Sequence, residues 1–408
     1  MGVATSFLGA MVFTITAVYR VQSAGLSPFQ LVLVGTVLEA SYFLFEVPTG
    51  VLADTYSRRL SVIIGTFLLG ASQMIEGAFP VFVVILLSQV VAGLGYTFLS
   101  GATEAWLADE VGEEHLGRIF LRSSQLGYIG GFLGTLMGVG LATIRLNLPI
   151  VLGGALMAMF GVYLVFAMKE HRFQPPTHEE RRSWRTMGRT AREGASLIRG
   201  RPVLLTIMAI AVFWGGFSEG FDRLWEAHFL ADFEFPALGE LQPVVWFGII
   251  NIGSMVLGFT AAEVFRRRLD TTSHRAATRT LFVLEALLVA SLVAFGLAGS
   301  FAFAVAAFWS ATLMRSLSGP LYAAWLNQNI TPRVRATVLS MNGQCDALGQ
   351  ITVGPGVGAI GSAFGLRAAL VTAGAILTPA LVLYGATIRR GADEPLARVE
   401  APPAPVET

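Results

Sequence analysis

The chain has 408 residues, of which 54% are hydrophobic and 13% charged, and its formal net charge is +1. Soluble domains carry roughly 25% charged residues, so the composition points to a bilayer as solvent, while so small a net charge leaves no field to draw phosphates and excludes an electrostatic case for nucleic-acid binding. The single cysteine, Cys345, makes neither an internal disulfide nor a cysteine metal site.

Apolar runs long enough to cross a hydrocarbon core of roughly 30 Å lie near residues 4–24, 29–52, 60–79, 81–105, 119–142, 148–168, 203–224, 243–264, 278–299, 302–324, 336–361 and 366–387. The first has no basic start, and Gly25, Leu26 and Ser27 make a poor cleavage signal, so a retained helix is expected. The second carries Glu39, about 15 Å deep at the helical rise, and Glu46 on about the same face. The fourth ends near Glu104, and the fifth spaces Gly130, Gly134 and Gly138 four apart, which suits close helix packing. A polar stretch, 169–201, holds nine Lys or Arg against four Glu. The seventh run ends in FSEGFDRLWEAHFL, where Glu219, Asp222, Arg223 and Glu226 share one helical face. With Arg20 at similar height in the first run, Glu219, Asp222 and Arg223 read as an outer gate or as a solvated helix end. Glu285 in the ninth run has no evident partner. Arg315 lies about 20 Å into the tenth and Asp346 about 15 Å into the eleventh, where Gly354-Pro355 predicts a kink.

The expected organisation is an all-α integral membrane protein of twelve transmembrane helices. Residues 1–168 form an N-terminal six-helix bundle, 169–202 a cytoplasmic linker, 203–388 a C-terminal six-helix bundle, and 389–408 a disordered cytoplasmic tail. Positive charge sets the orientation. With both termini in the cytoplasm of a cell with this inner membrane, 23 of the 28 basic residues fall in inner loops, the exceptions being Arg20, Arg145, Arg223, Arg315 and Arg367. The two halves also resemble one another: Ala-Trp-Leu occurs at 105–107 and 324–326, Arg118 and Ser123 recur as Arg335 and Ser340, and Asp54 with Arg58-Arg59-Leu60 recurs as Glu263 with Arg267-Arg268-Leu269. Parallel repeats of this kind build some transporter folds.

Between the second and third runs stands PTGVLADTYSRRL, residues 48–60. Gly50 would let two helices approach, Asp54 can accept hydrogen bonds from Arg58, and the Arg pair would anchor the turn in the cytoplasm. The stretch from Gly50 to Arg59 resembles the short cytoplasmic loop signature of the major facilitator superfamily, and the run count, central linker and weakened second-half echo extend the resemblance along nearly the whole chain, with the bacterial drug-efflux-like branch as the expected kin. The resemblance implies two pseudo-symmetric bundles that move a substrate by alternating access. It also implies that Gly50, Asp54, Arg58 and Arg59, with Asp109 as partner of Arg58, form a latch on the inner side; an ordinary charged turn is the plain alternative. Two departures weaken the antiporter assignment: Gln89 stands where many proton-coupled members carry Arg, and Thr135 where many antiporters carry Pro.

Charges inside spans are costly and usually face a cavity or a partner. Glu39, Arg315 and Asp346 near the midplane therefore read as a proton or substrate site, or as a salt bridge between halves. Burial raises a carboxylate's pKa and a nearby guanidinium lowers it, which suits an acid that exchanges protons. Trp106, Trp214, Trp246, Trp309 and Trp325 line a cavity or anchor the interface. Gly216 to Gly220 spells a nucleophile elbow but sits in a helix, the histidines lack metal-ligand spacing, and no phosphate-binding loop is present; no catalysis, cofactor or metal is expected. The expected function is secondary active transport of a small molecule, by proton-coupled export of a drug or metabolite from a monomer. The alternatives are nutrient uptake by the same fold, a membrane-embedded hydrolase through Ser218, and a transport-dead sensor.

Overall fold

The structure, a computed structural model, describes residues 1–173, 192, 196, 198–237, 242–268, 274–330 and 335–389. Most of the expected linker, the expected tail and the echo at Leu269 lie outside the described residues, which contain helices and no strand. In chain order the helices are α1 (Gly2–Gln22), α2 (Pro28–Thr55), α3 (Arg58–Ala78), α4 (Phe82–Leu99), α5 (Ala102–Val111), α6 (Glu113–Ala142) and α7 (Leu148–Ala167). After the linker come α8 (Pro202–Asp232), α9 (Val244–Arg268), α10 (His274–Gly296), α11 (Phe301–Gln328), α12 (Arg335–Phe364) and α13 (Leu366–Arg389).

Serine caps start several of these helices by accepting from the orphan amides of the first turn. Ser27 and Gln30 form a reciprocal capping box on α2, with distances of 2.9 and 3.3 Å. The Ser57 hydroxyl accepts from the Leu60 amide at 2.9 Å, which starts α3 three residues after α2 ends.

The expected fourth run is broken. α4 stops at Leu99, Gly101 takes a φ of +68°, and α5 restarts at Ala102. The left-handed backbone that Gly tolerates turns the chain there, so Glu104 and Asp109 stand on a separate short helix. Taking α4 and α5 together, 11 stretches among the described residues are long and apolar enough to cross a membrane. The twelfth is α12, whose 30 residues suffice in length but which carries Asn342, Gln344, Asp346 and Gln350. Pro355 sits inside it without ending it.

Small residues bring the helices together. A Cβ built on Gly130 would stand 2.6 Å from the Val3 carbonyl oxygen, and those on Gly134 and Gly138 would overlap the carbonyls of Phe7 and Met11. α1 and α6 thus pack with their backbones in contact. Gly65 and Gly95 join α3 to α4 in the same way, and Gly70 and Gly154 join α3 to α7.

The second half repeats this device. A Cβ on Gly349 of α12 would overlap the Val212 carbonyl of α8, and one on Gly215 would overlap that of Asp346. The fifth and first spans of one half, and the eleventh and seventh of the other, therefore make the same close approach. The repeated tryptophans also match: the Trp106 indole donates to the Lys169 carbonyl just past α7 at 2.8 Å, and Trp325 packs its ring on Tyr384 of α13, centroids 5.6 Å apart. Each reaches the last helix of its own half, as two pseudo-symmetric bundles require.

By contacts the chain forms two compact units: Met1–Arg182 with Glu219–Met255 and Gly354–Ala369, and Ser183–Ser218 with Val256–Val353 and Leu370–Thr408. The first unit thus joins the N-terminal helices to segments of α8, α9 and α12. Within it the Phe29 amide donates to the Ser362 hydroxyl at 3.0 Å, and the Gln242 amide donates to the Thr143 carbonyl at 3.1 Å. Ile15, Ala142 and Val244 share one buried cluster.

Candidate functional site: charged cavities within the helix bundles

Among the described residues, neighbours in the first unit hold the α2–α3 turn. Arg58 Nη1 donates to Asp109 Oδ2 at 2.5 Å and to the Ala105 carbonyl at 3.3 Å, while Asp54 lies 3.5 Å from Nη2. Arg59 Nε donates to the Met168 carbonyl at 2.6 Å and its Nη2 to Val165 at 2.5 Å, covering carbonyls at the end of α7 that have no intrahelical partner. Gly50 needs correction as a point of close approach: a Cβ built there meets no heavy atom within 4 Å. Its place in the turn comes with the continuing α2, and the backbone contacts fall at Gly93 instead, whose Cβ would meet the Leu38 carbonyl at 2.9 Å.

Two residues of this network carry no signal in the loop itself. Glu170 accepts from the Ser57 hydroxyl at 2.6 Å and from the Arg59 amide at 3.0 Å, placing a carboxylate at the positive start of α3. Glu110 accepts from the amides of His171 and Arg172 at 2.7 and 3.1 Å. An acid directly after the sixth run was the only available hint.

Asp109 sits closer to Arg58 than Asp54 does, and its side chain is 27% exposed against 53%. Asp109→Asn is therefore expected to lower transport at least tenfold in proteoliposomes with insertion intact, and Asp54→Asn by only about threefold. Equal effects of the two would reduce the network to an ordinary turn.

Deeper in the first unit lies a buried pair that the sequence did not announce. Arg20 Nε donates to Glu76 Oε1 at 2.7 Å and Nη2 to Oε2 at 3.1 Å, with the two side chains 9% and 7% exposed. Gln89 Nε2 donates to the same Oε2 at 2.8 Å, and the Tyr19 hydroxyl to the Glu76 carbonyl at 2.9 Å. Arg20 is bound by α3, because the Glu76 carboxylate matches the guanidinium fork, and it stays within electrostatic reach of Glu219. Glu219 pairs instead with Arg223, one turn along α8, at 3.3 Å.

That second pair is wedged between helices. A Cβ on Gly35 of α2 would overlap Glu219 Oε1 and Arg223 Nε, and one on Gly354 of α12 would meet Glu219 Cγ at 2.7 Å. Glu219 is accordingly buried and not a solvated helix end. Glu39, four residues past Gly35 on α2, lies within electrostatic reach of Arg223 and Tyr96. With Glu46 and Glu104 it also surrounds Tyr42, whose hydroxyl donates to Ser100 at 2.8 Å.

The two Arg residues share a cavity of about 400 Å³ with Gln89, Asp222, Glu226 and Asn251. Glu226 is buried, and its Oε2 has no hydrogen-bond partner. A wider cavity of about 940 Å³ runs past Tyr42, Gln73, Tyr96, Glu104 and Arg122. Trp106 lines this second space and Trp225 the first.

In the second unit the guanidinium of Arg315 stands 6.0 Å from the ring centroid of Trp214 and 5.3 Å from that of Phe217. Asp346 Oδ2 accepts from Gln350 at 2.8 Å. Asp346 lines a cavity of about 280 Å³ with Trp214, Ser318, Tyr322, Asn342 and Tyr384. Trp214 is thus common to Arg315 and to the Asp346 cavity. Of the other tryptophans in the sequence reading, Trp325 is fully buried and Trp246 donates to the Pro236 carbonyl at 3.0 Å.

Comparison with known proteins places this geometry. The solved structure of the nucleoside transporter NupG aligns with a TM-score of 0.73 at 13% identity, covering 96% of this chain and 98% of that one. The peptide transporter POT in complex with sulfate gives 0.73 at 15% identity over 95% and 93%. A bacterial homologue of the human lysosomal transporter Spinster, inward-facing and unoccupied, gives 0.71 at 16% over 99% and 98%. At such identities these likenesses show the fold. In sequence, the Bacillus subtilis (strain 168) protein described as the uncharacterized MFS-type transporter YxaM is 23% identical over 364 residues, 87% of this chain and 86% of its own. Residues 1–352 match the Major Facilitator Superfamily, and with paired glycine contacts and tryptophans in both halves around charged cavities, the chain belongs to that family of membrane transporters.

Proposed function

We propose that the protein carries a small polar metabolite into the cell by alternating access, coupled to protons. As a member of its family it is a secondary transporter of a small molecule and not an enzyme; cargo, direction and coupling are the proposed part. The observation that carries the cargo is the cavity of about 400 Å³ between Arg20, Asp222, Arg223 and Glu226. Its size suits a metabolite, and the buried, unpartnered Glu226 Oε2 needs a donor that the cargo supplies. An apolar drug would leave the buried Glu226 oxygen unsatisfied, which turns the reading from apolar drugs toward polar metabolites. The nucleoside and peptide transporters of the same fold also move polar cargo, which supports it. The Arg58 end of the bundle is placed in the cytoplasm by the positive-inside rule, with both termini.

The experiment is transport in proteoliposomes of known orientation, with nucleosides, short peptides, amino acids and cationic drugs offered from either side under an imposed pH gradient. Accumulation of a polar compound down the proton gradient is expected. Accumulation of cationic drugs against it, with no polar cargo moved, would restore the efflux reading. A reporter fused after Arg182 that is active only outside the membrane would reverse the orientation.

A further inference from the structure

Glu285 takes no part in the site above, yet among the described residues it is an acid with no exposed surface. It lies on α10 at 0% exposure, and neither of its carboxyl oxygens accepts a hydrogen bond of ordinary geometry. Trp214 of α8 presents its indole toward it, and Tyr322 of α11 and Tyr384 of α13 lie within electrostatic reach. Beyond this aromatic shell stand Asp346 and Cys345 of α12, which act on Tyr322, and Arg315 of α11, on the Trp214 ring at 6.0 Å. The Tyr322 hydroxyl is committed elsewhere, donating toward the Asn342 Oδ1 at 2.8 Å and lying 3.1 Å from the Ile207 carbonyl.

A buried carboxylate faced by one poorly aligned indole N–H is an expensive state for such a group, whereas the neutral acid sheds most of that cost. The same three rings that shell Glu285 form one wall of the cavity of about 280 Å³. That wall also holds Ser318, whose buried Oγ has no partner. Glu285 is therefore one side chain away from a space with polar groups able to hold water.

We propose that Glu285 is a proton-binding site of the second unit, neutral in this conformation and loaded from the cavity through the shell of Trp214, Tyr322 and Tyr384. A hydronium in the cavity gives its proton to the carboxylate and leaves as water. The transporting role of this proton rests on the proton-coupled reading above; the protonation itself does not.

The test is pH-jump infrared difference spectroscopy of the full chain in lipid, with light and heavy water, on wild type and Glu285→Gln. The expected result is a carboxylic-acid carbonyl band, shifted by deuteration and diminished as the pH rises, that is missing in the variant. If E285Q does not insert, Glu285→Asp should move the band in frequency instead. Identical spectra for wild type and variant, or a band that never changes with pH while the protein stays folded, would overturn the proposal. A parallel transport assay separates the two readings: E285Q should lose gradient-driven accumulation but keep counterflow exchange. If wild type shows no gradient-driven accumulation while the band behaves as stated, the coupling falls and the proton site stands.

Discussion

Replacing Arg20 by Ala is expected to cost about 3–5 kcal/mol of stability, because it leaves the Glu76 carboxylate buried without its guanidinium. The pair is bidentate at 2.7 and 3.1 Å, with side chains 9% and 7% exposed, so little water reaches it to compensate. Gln89 still donates at 2.8 Å, but a neutral amide cannot balance the charge. Glu76→Gln alone should be damaging for the opposite reason, stranding Arg20. Replacing both together, Arg20→Met with Glu76→Met, should recover most of the loss, since no charge then remains to be desolvated. Thermal unfolding in detergent followed by circular dichroism measures this directly. If R20A melts with the wild type, the pair does not stabilise the folded protein.

Gly134→Leu should cost more than about 3 kcal/mol, beyond ordinary overpacking of a core. Its Cβ would overlap the Phe7 carbonyl oxygen, and a backbone atom cannot swing away as a side-chain tip can. α1 and α6 would have to separate along the row that includes Gly130 and Gly138. Gly140→Leu is the internal control, on the same helix, because a Cβ there meets nothing within 4 Å. Yield of monodisperse protein from membranes should collapse for G134L and hold for G140L. Equal yields would mean that the interface tolerates separation and that the close approach does not hold the fold together.

Both effects lie on links that the sequence shows unequally. The spacing of Gly130, Gly134 and Gly138 is readable by itself, since residues four apart share a helix face, but nothing in it names Phe7 as the neighbour. Arg20 and Glu76 are 56 residues apart, and no periodicity connects them.

The sequence by itself determined the membrane environment, the spans and the two-fold repeat, because each rests on local composition: runs of apolar side chains, breaks between them, and copies of Ala-Trp-Leu. It also marked the α2–α3 turn, whose Arg58 the structure brings to Asp109. Only the tertiary structure decided which charge meets which. It gave Arg20 to Glu76 and Glu219 to Arg223, brought Glu39 within reach of Arg223, set Arg315 over Trp214, moved the close approach away from Gly50, and broke the fourth run at Gly101. The physical reason is that an ion pair inside a bilayer is selected by distance and desolvation between helices remote in the chain. Depth along one helix, which the sequence does supply, says at what height a charge sits and leaves open which way it faces.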